Sequence, residues 1–296
     1  MWSVGCDVER RTSNVERRTP NVERRTPEVS DALQTEVRRR LSKGLLVQGS
    51  YTFARDLTWT RYSLRTGWTE ETNTNGVDHA LKGNWVYDLP FGPGRRFLSH
   101  ASGPVNRIVG DWGIDGTGRV QSGRILSFGN VRMIGFTQAD LDKMFELRFA
   151  ENGLVYMLPQ DVIDNTIKAF SVSATSSTGY GSLGVPTGRY FAPANGADCI
   201  QVVTGDCAPT NVYVRGPAFV RFDLSAVKRI AITQGVRFEG RIEFLNVLNN
   251  VNFTPVAGAS SNATLGQVTA AYRDTGAFNT LDPGGRLVQI VTRITW

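Results

Sequence analysis

Two long segments between residues 216 and 249 alternate hydrophobic and polar side chains, and a tight turn at residues 233–235 joins them. The hydrophobic positions are Val220, Phe222, Leu224 and Ala226 on the first segment and Val236, Phe238, Gly240, Ile242 and Phe244 on the second. The polar positions are Arg221, Asp223 and Ser225, then Arg237, Glu239, Arg241 and Glu243. Because neighbouring side chains of a strand point to opposite faces, the pattern predicts a hairpin with one apolar and one charged face.

The length of these segments favours a membrane environment. Each arm exceeds ten residues, whereas strands of soluble proteins average about five to six. A β-strand that crosses an outer membrane needs about ten alternating residues. We therefore predict that the apolar face contacts lipid and the charged face lines a lumen. A soluble sheet with its apolar face inside would show the same alternation, and this alternative stays open.

Five further segments show a strand pattern, at residues 31–40, 45–57, 77–89, 106–128 and 286–296. Between residues 129 and 213 the chain makes a long excursion with two helix candidates, at 137–145 and 161–170, and a hairpin-like stretch at 146–158. Thr137 with Asp140 has the spacing of a helix cap. The pattern predicts an all-β protein of about seven long strands with long extracellular loops.

The connectors between these strands alternate in length. Short or medium connectors (41–44, 90–105, 233–235) alternate with long ones (58–76, 129–213, 252–284), as in outer-membrane barrels with short periplasmic turns. The first and seventh strands then run in the same direction and cannot close an antiparallel seam. We expect an open, curved antiparallel sheet with two unpaired edges, a fragment of a transmembrane β-barrel.

Composition is compatible with this class. Of 296 residues, 41% are hydrophobic, 31 are glycine, and no stretch approaches the roughly eighteen apolar residues of a membrane helix. The net charge of +6 is modest, and the basic residues do not cluster along the sequence as they do in nucleic-acid-binding proteins.

The amino-terminal residues differ from the rest of the chain. Residues 8–28 repeat the unit VERRTPN with small variations, which predicts a disordered tail over residues 1–30, followed by barrel sequence over 31–296. The start has no apolar signal-peptide core. An outer-membrane location therefore implies that the natural beginning is missing, or that the membrane interpretation is wrong.

Few residues indicate chemistry. Cys199 and Cys207 lie eight positions apart, which is compatible with a disulfide in an oxidising compartment or with two free thiols. The adjacent pair Asp78 and His79 would point to opposite faces of a strand. The glycine-rich stretch 179–184 lacks the preceding strand and following helix of a nucleotide site. We expect no catalytic residues, no metal site and no cofactor.

The charged face permits two interpretations, a solute path or a solvated wall held by ion pairs. Cross-strand Arg–Glu pairs stabilise sheets in general, which favours the wall. The predicted lumen residues are Arg221, Asp223, Arg237, Glu239, Arg241, Glu243 and Arg293.

The segment GPAFVRFDLSAVKRIAITQGVRFEGRIEFLNVLNNVNF resembles the penultimate hairpin of TonB-dependent outer-membrane receptors, in the subgroup with an amino-terminal carboxypeptidase-regulatory-like domain. VRRRLSKGLLVQGSYTF, LKGNWVYDLPFGPGRRF and IVGDWGIDGTGRVQSGRILSF resemble earlier barrel strands of that subgroup. The final RLVQIVTRITW is similar to the signal read by the barrel-assembly machinery, carried by Val288, Ile290, Ile294 and Trp296. The resemblance covers residues 31–296.

The resemblance implies a bacterial outer-membrane location and a 22-stranded barrel with a plug, which imports scarce nutrients on energy delivered by TonB. This chain lacks the plug and the upstream strands, so we expect no energised transport by it alone. The implied partners are outer-membrane lipid, the assembly machinery and the missing plug and strands. TonB would be contacted only through the plug, and nucleic acid is not among the implied partners. A small outer-membrane barrel or adhesin that binds ligands through its loops, and a secreted soluble β-sandwich, are the alternatives.

Overall fold

The computed structural model describes residues 2–17, 24–42, 44–63, 67–72, 76–92, 94–100, 103–203, 205–255, 257–271 and 285–296. Its strands are β1 (Trp2–Arg17), β2 (Arg24–Ser42), β3 (Leu45–Ser63), β4 (Gly67–Thr72), β5 (His79–Asp88), β6 (Trp112–Gln121), β7 (Ile125–Gly129), β8 (Val131–Ile134), β9 (Arg148–Phe149), β10 (Val155–Tyr156), β11 (Tyr190–Pro193), β12 (Val212–Arg215), β13 (Phe219–Ala231), β14 (Arg237–Leu245) and β15 (Leu287–Thr295). Its helices are α1 (Gly103–Val109), α2 (Gln138–Met144) and α3 (Gln160–Phe170).

One large antiparallel sheet dominates the structure. Its strand order is β1-β2-β3-β5-β6-β13-β14-β15, and β4 pairs with β3 outside this path. Within the described ranges β1 and β15 do not pair, so the sheet is open. The seven strands predicted from the sequence lie side by side in the predicted order, and the all-β, antiparallel fold class is confirmed. No helix in the described part of the chain is both long and apolar enough to cross a bilayer.

The two faces of this sheet have the predicted character. Cross-strand pairing places Ile114, Ala226, Ile242 and Ile290 in one row, on four adjacent strands. The side chains of this row stay open to the surroundings, and Ile242 and Ile290 are 39% and 74% exposed. No second sheet of described residues covers this face, which is the opposite of what a soluble β-sandwich requires.

Strand boundaries differ from the predictions at two places. Residues 106–128 form the end of helix α1, strand β6 and strand β7, rather than one strand, and the indole nitrogen of Trp112 donates to the Ile108 carbonyl across the junction (2.8 Å). Within the connector predicted at 58–76, residues 58–63 extend β3, and residues 67–72 form β4, which pairs with β3. This stretch is rich in Thr, Trp and Tyr, which favour strands, and a directly adjacent partner strand satisfies its backbone.

The amino-terminal region also differs from its prediction. Residues 2–17 and 24–30 lie in β1 and β2 rather than in a disordered tail, and β1 pairs with β2 along its whole length. An exposed strand edge offers unpaired N–H and C=O groups, and a nearby segment can pair with these groups whatever side chains that segment carries. Repeat residues 18–23 lie outside the described residues, as do connector residues 43, 64–66, 73–75, 93, 101–102 and 272–284.

The long excursion folds into a compact unit, here called the outer module, formed by the described residues of 122–217 together with those of 252–271. Its small sheets pair β7 with β12, β8 with β11, and β9 with β10. The predicted helices are present as α2 and α3, and the predicted hairpin is β9–β10. A single core joins both segments and includes Phe128, Leu141, Leu158, Val162, Ile163, Phe191 and Leu265.

Candidate functional site

The charged face of the sheet carries a chain of ion pairs. Arg229 contacts Glu239 on the neighbouring strand (3.2 Å) and Asp88 on β5 (3.1 Å). Arg241 lies between Glu243 (3.1 Å) and Asp115 (3.3 Å). Opposite charges therefore alternate across β6, β13 and β14, an arrangement that stabilises the pairing of these strands.

All seven predicted lumen residues share this face. Register places Arg229 opposite Glu239 and Glu239 opposite Arg293, so that charges alternate over three strands. Arg221 donates to Asp223 on the same strand (3.0 Å). The pattern of alternating signs belongs to the part of the wall nearer the short turn at residues 232–236.

The other half of the same face has a different charge pattern. Lys82 on β5 lies directly opposite Arg119 on β6, and Arg119 lies directly opposite Arg221 on β13. We call these three residues the cationic row. Lys82 and Arg119 are not among the predicted lumen residues, although their alternation with Leu81 and Val120 carries that signal. Their juxtaposition depends on strand register.

The outer module joins the sheet where the chain segments around Gly123 and Gly216 come close together, a point here called the neck. Gly123 and Gly216 approach so closely that a Cβ on Gly123 would lie 1.8 Å from the Gly216 carbonyl oxygen. Arg215 donates to the Gly123 carbonyl (3.1 Å) and forms an ion pair with Asp78 at the start of β5. The Arg215–Asp78 ion pair connects the module to the wall next to β5, at the end of the charged face that lies away from the short turn at residues 232–236.

A polar cavity lies next to this neck. Its volume is about 530 Å³, and its lining includes Gln138, Asp142, Asn211, Tyr213 and Arg215. The Gln138 amide nitrogen donates to Asp142 (3.0 Å) and to the Tyr213 carbonyl (2.7 Å), which connects α2 to β12. In the pair of β7 and β12, Arg215 lies opposite Ile125 and Tyr213 lies opposite Ser127. Arg215 and Tyr213 are on the face of β12 that points away from the module core.

The capping box predicted at the start of α2 is present. The Thr137 side chain accepts from the backbone of Asp140, and the Asp140 carboxylate accepts from the Thr137 backbone N–H (2.9 Å). The bond from the Thr137 backbone to the carboxylate, followed by the bond from the Thr137 hydroxyl, holds the pKa of Asp140 below its ordinary value of 3.8.

The disulfide loop lies on the surface of the module. Cys199 and Cys207 are bonded, with Cα atoms 6.1 Å apart. Ile200 and Val202 inside the closed loop are 77% and 86% exposed. Beside the loop, burial raises the pKa of Tyr190, and the charge of Asp198 acts in the same direction.

The remaining candidate residues are separated from one another. Asp78 contacts Arg215, whereas His79 contacts the Tyr51 hydroxyl (2.8 Å). Gly179–Gly184 lies in turns of the outer module, and in the described ranges no group of three His, Cys, Asp or Glu side chains could hold a metal ion. The residues of the predicted assembly signal, Val288, Ile290, Ile294 and Trp296, are all exposed at the last strand.

These features define a class. Strands of 9 to 19 residues, an exposed apolar face, an opposite charged face and long loops on one side are the properties of a transmembrane β-barrel protein.

Comparison with known protein families places the chain more narrowly. Residues 17–289 match the outer membrane beta barrel domain. The chain belongs to this family and is a barrel protein of the bacterial outer membrane. Searches of curated proteins and of solved structures found no match to it.

Proposed function

We propose that the chain forms one part of the wall of a TonB-dependent receptor, whose intact barrel imports a scarce nutrient. The observation that carries this proposal is the open sheet, in which neither β1 nor β15 is closed by the other. A wall of this kind needs further strands to enclose a lumen, and the resemblance to TonB-dependent receptors implies a plug inside it. The role is transport and binding without catalysis.

Two features of the described residues support a transport role. The charged face is continuous from the short turn to the neck, and polar side chains lining a lumen determine which solutes pass. The outer module lies beside the outer end of that face, with a cavity of about 530 Å³, within the size range typical of ligand sites. The partners that follow are outer-membrane lipid, the barrel-assembly machinery, a plug domain and the strands that complete the barrel.

The experiment is an uptake assay in cells that express this chain together with a plug domain and the preceding strands of a related receptor. We expect uptake of the receptor's nutrient in cells with TonB and its loss in cells without TonB. Uptake that does not depend on TonB, from a correctly assembled barrel, would contradict the proposal.

An adhesin is the second candidate, and the disulfide loop is the observation that favours it. A closed loop with exposed Ile200 and Val202 is suited to contact with another surface. Cell adhesion that persists without TonB and disappears after Val202→Asp would favour this alternative.

A further inference from the structure

Tyr51, Phe53 and His79 form a group of rings at one end of the apolar face, here called the ring cluster. Phe53 lies directly opposite His79 in the pairing of β3 with β5, and their ring centroids are 5.1 Å apart. The Tyr51 ring stacks against His79 with centroids 6.2 Å apart, and the Tyr51 hydroxyl is hydrogen-bonded to the imidazole Nδ1 (2.8 Å). Polar groups are costly beside hydrocarbon, so a hydrogen-bonding ring on this face indicates a specific role.

Strand register places the ring cluster on the lipid side of the wall. Side chains two positions apart on a strand share a face, so His79 points to the same side as Leu81 and Tyr87 on β5. Tyr87 pairs with Ile114, a member of the exposed apolar row of the sheet. His79 is exposed, and Leu81 is 53% exposed. The ring cluster therefore faces the membrane and not the lumen.

The position of His79 along β5 corresponds to one margin of the apolar layer. His79 is the first residue of β5, and Tyr87 follows it by eight positions. This separation is about 26 Å along a strand, or about 20 Å across the bilayer for a strand tilted by about 40°. Tyr87 and Trp112 supply aromatic rings at the opposite margin of the same face. Outer-membrane barrels have an apolar band about 25 Å tall with aromatic residues at both margins.

The ring cluster lies at the margin that is farther from the short turn at residues 232–236. Long loops leave the sheet at this end, and in outer-membrane barrels the long loops are extracellular. The ring cluster is therefore at the level of the lipid headgroups in the outer leaflet.

One hydrogen-bond donor of the ring cluster is left for an outside partner, whichever tautomer His79 adopts. If the Tyr51 hydroxyl donates to Nδ1, the ring proton is on Nε2 and this N–H can donate. If Nδ1 donates to Tyr51, the hydroxyl proton can donate instead. Within the described ranges, no other protein group is bonded to the Tyr51 hydroxyl or to the imidazole ring. A headgroup acceptor would satisfy this donor.

Phosphate oxygens are the strongest acceptors at this level, because hydrogen bonds to an ionised acceptor are roughly twice as strong as those between neutral groups. Arg55 is the next side chain of this face of β3 toward the long loops, and Asp31 lies directly opposite it, so this pair adds no net charge. We propose that the ring cluster binds the phosphate group of a lipid in the outer leaflet, with an acyl chain along Leu81 and the apolar face below it. This inference needs the outer-membrane location of the chain and is independent of the proposed transport role.

The first test observes His79 directly. The chain contains two histidines, His79 and His100, so labelling histidine with nitrogen-15 gives one set of imidazole signals for each. The full chain is folded in dodecyl maltoside micelles and titrated with dilauroyl phosphatidylglycerol. We expect a saturable shift of the imidazole signals of His79 and no shift for His100, which lies in the connector at residues 90–105. Absence of a shift at His79, or an equal shift from a phosphate-free glucosyl lipid with the same acyl chains, overturns the proposal.

The second test measures lipid selection by native mass spectrometry from the same micelles, with the phospholipid and the glucosyl lipid present in equal amounts. We expect the unaltered chain to retain the phospholipid about threefold more than the glucosyl lipid. We expect His79→Phe to abolish this preference and Tyr51→Phe to reduce it. Tyr87→Phe is the matched control, because it removes a hydroxyl from the same face at the other margin, and it should leave the preference unchanged.

Heat-modifiable migration in gels establishes that each variant is folded. A preference for the phospholipid that survives His79→Phe, or equal losses in Tyr51→Phe and Tyr87→Phe, overturns the proposal. A dimer of the unaltered chain that is lost in His79→Phe would show that a second copy, and not lipid, occupies the ring cluster.

Discussion

Glycines on the lipid-facing side of β6 lie beneath aromatic rings of the neighbouring strands. Trp85 pairs with Gly116, and a Cβ on Gly116 would come within 2.2 Å of the Trp85 ring. Phe222 covers Gly118 in the same way from β13. An aromatic ring over a cross-strand glycine fills the space that a side chain would occupy and helps to determine the register.

Gly116→Val should therefore displace the Trp85 ring. We expect the free energy of unfolding to fall by about 1–3 kcal/mol, the usual cost of overpacking. The measurement is the urea midpoint of unfolding in detergent, which should be lower in the variant. Gly235→Val is the control, because a Cβ at Gly235 meets open space. An unchanged midpoint for Gly116→Val would show that the ring moves without cost.

Adjacent residues of β15 provide a second comparison at the residue scale. Ile290 shares the apolar face with Ile242, whereas Gln289 contacts Glu243 on the charged face. A Lys on the lipid face near the bilayer midplane costs about 2–4 kcal/mol. We expect Ile290→Lys to reduce the fraction that assembles in membranes and Gln289→Lys to leave it unchanged, as measured by heat-modifiable migration in gels. Equal effects of the two substitutions would contradict the assignment of faces.

At the scale of elements, strands and helices have different sources of stability. The strands of the wall satisfy their backbones through neighbours, and even the low-hydrophobicity segment of β1 pairs along its length. Helix α2 has only seven residues and depends on its cap and on Leu141 and Met144 in the module core. A short helix has little stability of its own in water, so the loss of the cap or of the core contacts should destabilise α2 itself.

The cap of α2 predicts that the stability of this helix depends on pH. Because the folded-state pKa of Asp140 lies below 3.8, its contribution to stability is present above that pH and is lost as the pH falls through the folded-state pKa. We expect Asp140→Ala to accelerate amide hydrogen exchange in residues 138–144 at pH 7, with a smaller difference at pH near 3. Asp164→Ala is the control, because Asp164 is an exposed acid on α3 outside any cap. An effect of Asp140→Ala that is independent of pH would exclude the carboxylate as its cause.

For the whole molecule, the open sheet and its exposed apolar face determine behaviour in solution. Unpaired strand edges and a face that includes Ile290 and Trp296, 91% exposed, make the chain prone to association in water. We expect a folded, heat-modifiable and urea-resistant form in detergent or lipid, and aggregation in buffer alone. A monodisperse folded monomer in buffer would contradict the assignment of the apolar face to lipid.

The alternating segments were readable from the sequence because a strand has a period of two residues and its pattern is local. The tight turn is confirmed at residues 232–236, where Ile232 donates to the Val236 carbonyl (2.9 Å). The cap of α2 is confirmed for the same reason, since Thr137 and Asp140 are three residues apart. Helix α1 and the β3–β4 pair were not predicted, because their sequences permit more than one local conformation.

The sequence by itself determined seven strands of the large sheet, their two faces and their order, because these follow from short-range alternation and from connector length. Only the tertiary structure decided that Leu265 joins Phe128 in one core and that Lys82, Arg119 and Arg221 meet in one row. The physical reason is that register and module packing depend on contacts between residues far apart in the chain. Such contacts are selected by the fit of whole elements, which no local pattern encodes.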